Sequence, residues 1–243
     1  MKGEQIVVGI DVAAARPCTA VAVGVGRAAR VVEWREADDR HRGETRGLIE
    51  WIASLSPTAV AIDAPQSFNR HLLERSRLRV CDADLRHRGL PLYQVPAKGA
   101  DVSSWIAVGF KYFRHLKKRG FETASEGVLP GAFGQAAALL EVYPHAAFAT
   151  LLAEFQAAGQ WPADRVLPKK TTREGARVRV ELLRMVGVDW DLYFDHDSLD
   201  ALGAAVTGWR FLQGRACGLG DPREGLLWLP VPRAELRDTY VPG

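Results

Sequence analysis

The chain opens with short apolar runs rather than helical periodicity. Residues 6–12 are apolar and β-branched, with Asp11 at their end, and read as a buried strand. Residues 19–25 (TAVAVGV) and 29–35 (ARVVEWR) give two more, with Gly26 and Arg27 as a tight turn between them. Three strands joined by short links predict an antiparallel meander. The spacing then changes: Leu48, Ile49 and Ile52 share one helical face across residues 43–54. TAVAID at 58–63 is a fourth buried strand, stopped by Pro65. A strand reached through a helix is normally parallel to a sheet neighbour.

Residues 66–99 are basic and loop-rich, residues 105–119 are helical in pattern, and 120–134 form a glycine-containing excursion. LLEVY at 139–143 reads as a fifth strand, and residues 145–158, 171–186 and 197–212 as three helices. Residues 218–243 are rich in proline and glycine and read as an irregular tail wrapping the surface. No stretch has the composition of a linker. The expectation is one domain over residues 1–243, with an insertion at about 66–134 and the irregular tail. The predicted class is α/β: three antiparallel strands, then parallel ones, in a mixed sheet flanked by helices. That is the element order of the ribonuclease H-like fold.

Composition narrows the setting without deciding the chemistry. Hydrophobic residues make up 47% of the 243, enough for a sizeable core, and the net charge of +3 does not by itself require a nucleic-acid partner. Cys18, Cys81 and Cys217 lie far apart, an odd number without zinc-ligand spacing. Together with a start that lacks signal-peptide architecture, this fits a reducing, cytoplasmic setting. No apolar run reaches the ~18 residues that a membrane span needs.

The candidate chemistry lies in the carboxylates. Asp11 (GIDVA) ends the first strand and Asp63 (AIDAP) the fourth. If the two strands are parallel neighbours, both side chains emerge at one carboxyl edge of the sheet, where open α/β sheets bind ligands. DHDSLDALGAA at 195–205 adds Asp197 and Asp200 at the start of the last long helix. Their simplest role is capping, with Asp197 as N-cap and Asp200 in the first turn. Their three-residue spacing also lets both face one pocket. Four clustered carboxylates repel unless a cation joins them, and all-oxygen donors select Mg²⁺ or Mn²⁺.

Taken in order, GIDVA, AIDAP, RxCDxxLR (79–86), LEVYPHAAF (140–148), LPKKTTREG (167–175) and DSLDALGAA (197–205) resemble family 429 of the domains of unknown function. The family is described as predicted nucleases of ribonuclease H fold. The last motif also resembles that of Holliday-junction resolvases, which place a metal-binding acid in the first turn of the final helix. The resemblance implies metal-ligand roles for Asp11, Asp63, Asp197 and Asp200. One departure from the ribonuclease H pattern is the first helix, where only Glu44 and Glu50 are available.

Further candidates surround this set. Glu141 is either a fifth carboxylate of the site or half of a structural pair with an arginine. His145 reads as a packing or capping residue, and His196 as either a cap-region residue or a water and phosphate contact. One basic stretch holds Arg70, Arg75, Arg77, Arg79, Arg86 and Arg88, partly balanced by Glu74, Asp82 and Asp84; a second holds Arg165, Lys169, Lys170, Arg173, Arg177, Arg179 and Arg184, opposed by Glu174 and Glu181. Among these, Arg79, Lys169 and Lys170 are the candidate phosphate-binding residues, the lysines standing just before a helix start that favours anions. Trp105, Phe110, Tyr112 and Phe113 read as core rather than as a base-stacking face.

These features predict a metal-dependent nuclease that hydrolyses nucleic-acid phosphodiester bonds by a two-metal carboxylate mechanism. An actin-like phosphotransferase or ATPase also begins with a Gly-Ile-Asp strand, but AAARPCT after that strand lacks most of the Gly, Ser and Thr of a phosphate loop. A non-catalytic binding protein of the same fold would use the acids as caps and salt-bridge partners.

Overall fold

The structure, a computed structural model, describes residues 5–38, 40–41, 43–70, 78–90, 92–98, 100–126, 136–191 and 195–240. Arg75, Arg77 and Glu74 lie outside the described residues. Strands β1 (Gln5–Asp11), β2 (Cys18–Val25) and β3 (Ala29–Ala37) form the expected antiparallel meander. Helix α1 (Glu44–Ser54) then leads to β4 (Ala59–Asp63), which pairs parallel to β1. The register sets Asp11 directly beside Asp63.

The insertion carries helices α2 (Val80–His87) and α3 (Ser104–Lys117), then the two-residue strand β5 (Glu122–Thr123). Helix α2 lies in a stretch whose loop-like composition concealed it. Its N-terminus is closed by side chains: Asp82 accepts from the backbone N–H of Arg79. Strand β6 (Ala138–Val142) pairs parallel to β4, and helices α4 (Pro144–Ala157) and α5 (Arg173–Val186) follow. The two-residue strand β7 (Val188–Asp189) returns to β3, and α6 (His196–Leu212) crosses the sheet.

The C-terminal stretch is not an irregular surface tail throughout. It holds β8 (Cys217–Leu219) and β9 (Leu227–Leu229), all six residues buried, with β9 seated parallel to β6. The strand order is β7-β3-β2-β1-β4-β6-β9-β8, with β5 also paired to β6. The fold is therefore the mixed α/β arrangement of the ribonuclease H-like class, extended by β7 at one edge and by β9 and β8 at the other.

Two apolar layers sandwich the sheet. Val7, Ala59, Ala61 and Leu140 pack with residues of α4, α5 and α6, while Val8, Ile10, Ile62 and Leu139 pack with those of α1 and α3. Strands covered on both faces are apolar at nearly every position, which explains the unbroken runs. Tyr112 and Phe113 are core residues of the α1–α3 layer. No helix among the described residues is long and apolar enough to cross a membrane.

Candidate active site

Strand alternation aims the first two carboxylates. Asp11 follows Val7 and Gly9 at two-residue spacing, and Asp63 follows Ala59 and Ala61, so both face the α6 side. Helix α6 crosses that face at very short range. A Cβ on Gly9 would stand 1.9 Å from the carbonyl oxygen of Ala201. Only glycine permits this approach, and it carries Asp200 to the strand ends. Asp11, Asp63 and Asp200 offer carboxylate oxygens that all lie within 4.8 Å of one another.

The charges are strained by this proximity. Burial and then Asp200 raise the pKa of Asp11 to about 7, against the opposing pull of Arg16. Burial, then Asp11 and Asp200, holds Asp63 well above the usual carboxylate range. Burial also raises Asp200, although Lys170 opposes it. Lys170 Nζ contacts Asp200 Oδ2. The other oxygen, Asp200 Oδ1, is buried and has no hydrogen-bond partner among the described residues. An all-oxygen set with one free buried oxygen fits a hard divalent cation.

Asp197 stands beside this trio rather than within it. Its Oδ2 contacts Arg16 Nη1, which also donates to Asp11 Oδ2 at 3.1 Å. Arg16 thus bridges the two acids. It lies in the β1–β2 loop, and sequence reasoning passed it over because that loop was weighed only as a phosphate cradle. The helix cap is also two residues earlier than expected. Asp195, not Asp197, is the N-cap of α6, accepting from Ser198 N–H at 2.9 Å. That leaves Asp197 in the first turn with its side chain turned to Arg16. His196 Nε2 lies 3.0 Å from Asp197 Oδ1.

Glu141 and Arg79 belong to a different structure. Glu141 has the strand phase of Leu139, so it faces the layer opposite to the three aspartates. Arg79 donates to Glu141 at 3.0 and 2.6 Å and to Asp82 at 3.1 and 2.9 Å, with all three residues buried. Glu141 also accepts the backbone N–H of Gln66 at 2.9 Å, which anchors the loop leaving Asp63. Losing one partner of such a pair leaves a buried charge uncompensated, at a cost of about 3–5 kcal/mol. Enclosed in this way, Arg79 has no face open to a phosphate. Glu44 and Glu50 lie apart as well, in contact with His41 and with Arg46 and Arg119 respectively.

The second basic stretch divides in two. On the outer face of α5, Arg177 pairs with Glu174 and Glu181, and Arg165 pairs with Glu174. Lys169 and Lys170 instead stand in the turn before the helix. Thr172 caps α5, accepting from Gly175 N–H at 3.0 Å, and its hydroxyl donates to the Lys169 carbonyl at 2.8 Å. Beside the lysines a cavity of about 470 Å³ is lined by Asp63, Asp200, Tyr143 and His145 among others. Burial, then Arg179 and Lys170, lowers the pKa of His145 to about 4.

Comparison with known proteins adds a family. Solved structures similar to this chain include the following two. "T. thermophilus RuvC in complex with Holliday junction substrate" shares 15% identity over 83% of this chain and 90% of that one, with a TM-score of 0.38. "Thermus thermophilus RuvC structure" shares 15% over 83% and 91%, with a TM-score of 0.37. No curated protein matches the sequence. A family model described as "Protein of unknown function (DUF429)" matches residues 9–224, a span that runs from β1 through α6 and contains Asp11, Asp63, Asp197 and Asp200. The chain belongs to that family.

Proposed function

We propose that this protein is a metal-dependent nuclease that hydrolyses phosphodiester bonds of nucleic acid, with Mg²⁺ or Mn²⁺ held by Asp11, Asp63 and Asp200. The observation that carries the reading is the meeting of these carboxylates at one sheet edge, on two parallel strands and a crossing helix. A divalent ion held there supplies Lewis acidity, activating water and stabilising charge on the phosphate. Asp197 would serve as a further ligand on the Arg16 side only if the guanidinium that now contacts it and Asp11 moved aside. Lys169 and Lys170 hold substrate phosphate at the rim. The ribonuclease H-like fold and the acidic trio together support this class of enzyme.

The charge balance favours a cation over a purely structural role. Four aspartates gather at this edge, while Arg16 and Lys170 are the only Arg or Lys side chains in salt-bridge contact with them among the described residues. Caps and salt bridges alone leave that excess unexplained. The actin-like reading needs a run of backbone N–H groups after β1. The loop there brings Arg16 to the acids instead.

End-labelled DNA and RNA oligonucleotides, single- and double-stranded, test the reading in Mn²⁺. Cleavage is expected to stop on chelation and to fall by about 10²–10³-fold in Asp63→Asn. A folded Asp63→Asn protein that cleaves at the wild-type rate would refute it.

A further inference from the structure

The cavity beside the aspartates is more than a gap at the site's edge. Asp63 and Asp200 are among its lining residues, so the cavity adjoins the carboxylate cluster. Lys169, Lys170 and Thr171 form a second side. Tyr143 and His145 form a third, their rings 5.8 Å apart and tilted by 48°. The volume of about 470 Å³ lies within the usual range for a small-molecule site.

A second observation points to an anion. Arg179 is fully buried behind the lysine turn and stacks over Phe148 at 5.3 Å. Its Nη1 donates to the Pro168 carbonyl at 2.9 Å and the Gly175 carbonyl at 3.0 Å, bracing the turn from beneath. Its Nε and Nη2 have no hydrogen-bond partner among the described residues. A buried guanidinium with two unpartnered nitrogens is costly, and a neighbouring anion offsets that cost. Burial lowers its pKa while Asp200 and Tyr143 oppose that, so Arg179 acts on the cavity through the turn that it braces and through its charge, without lining it.

We infer that this cavity is a single-nucleotide subsite, taking a nucleotide's phosphate at Lys169 and Lys170, with Arg179 behind them, and its base against Tyr143 and His145. The inference rests on the nuclease reading and specifies its substrate: an unpaired nucleotide, at a strand end or swung out of a duplex. A paired base cannot enter a pocket of this size without leaving its stack. Phosphate supplies affinity without sequence preference, and an aromatic wall accepts any base because every base has a stacking face.

Calorimetry with thymidine 5′-monophosphate, thymidine and inorganic phosphate tests it, using protein with and without Mn²⁺. With Mn²⁺, the monophosphate is expected to bind with a Kd below about 1 mM, and the other two at least about tenfold more weakly. Lys169→Ala, at an exposed position, and Tyr143→Ala should each weaken monophosphate binding about tenfold. Monophosphate binding that matches inorganic phosphate, or that Lys169→Ala leaves unchanged, would overturn the subsite. Mn²⁺ titration of the same samples keeps the two readings apart. Metal binding without monophosphate selectivity removes the subsite and spares the nuclease site, and selectivity without metal binding does the reverse.

Discussion

Asp11 is held between opposing influences. Burial and the Asp200 carboxylate raise its pKa to about 7, while the neighbouring Arg16 guanidinium pulls it down. A carboxyl group with a raised folded-state pKa holds its proton more tightly when folded than when unfolded. The metal-free fold therefore loses stability as pH rises from the ordinary value of 3.8 towards about 7. Asp11→Asn removes the charge that causes the loss. At pH 8 this variant is expected to gain about 1–3 kcal/mol over the metal-free wild type, or several degrees in Tm, and to gain nothing at pH 4. Melting curves at both pH values check this, and a variant less stable than wild type at pH 8 would show that the aspartates form a satisfied structural pair. The sequence displays each aspartate but not its company. Glu141 stands one residue out of phase with the site, and an apolar strand buried on both faces gives no local sign of which face a residue takes.

Helix α6 is the element that turns two strand ends into a site. Its approach depends on Gly9, where an added methyl group meets the helix backbone at Ala201 and Ala205. Backbone on both sides cannot yield as a side chain would, so Gly9→Ala should cost about 3 kcal/mol or more. It should also move Asp200 away from Asp11, weakening Mn²⁺ binding even in protein that remains folded at low temperature. Chemical denaturation and a Mn²⁺ titration measure the two effects, and unchanged metal affinity would mean that the helix does not set the cluster. GIDVA shows the glycine plainly, but only the crossing helix gives it a purpose. The α6 cap was misplaced by two residues because DHDSLD offers three aspartates and the sequence does not rank them. The structure gives the cap to Asp195, and that leaves Asp197 for Arg16.

Across the whole molecule, the central sheet was readable because β1, β2 and β4 are compact apolar runs and β3 follows β2 across a tight turn. The parallel pairing of β1 with β4, and with it the pairing of Asp11 with Asp63, follows from the intervening helix. The parts that escaped are those whose order comes from distant contacts. Helix α2 depends on Arg79, Asp82 and Glu141, residues from separate parts of the chain. Strands β8 and β9 have three residues each and gain their burial only beside β6. Arg16 and Tyr143 acquire a role only once the strands, α4 and α6 are assembled around them.

The nuclease reading depends on Asp11, Asp63 and Asp200 holding a divalent cation. Its most direct test is calorimetric titration of Mn²⁺ into the wild-type protein and into Asp200→Asn at pH 8. Saturable binding by the wild type is expected, weakened by an order of magnitude or more in the variant. A wild-type protein that takes up no Mn²⁺ at about millimolar concentration, or a folded variant that binds it equally well, would contradict the account.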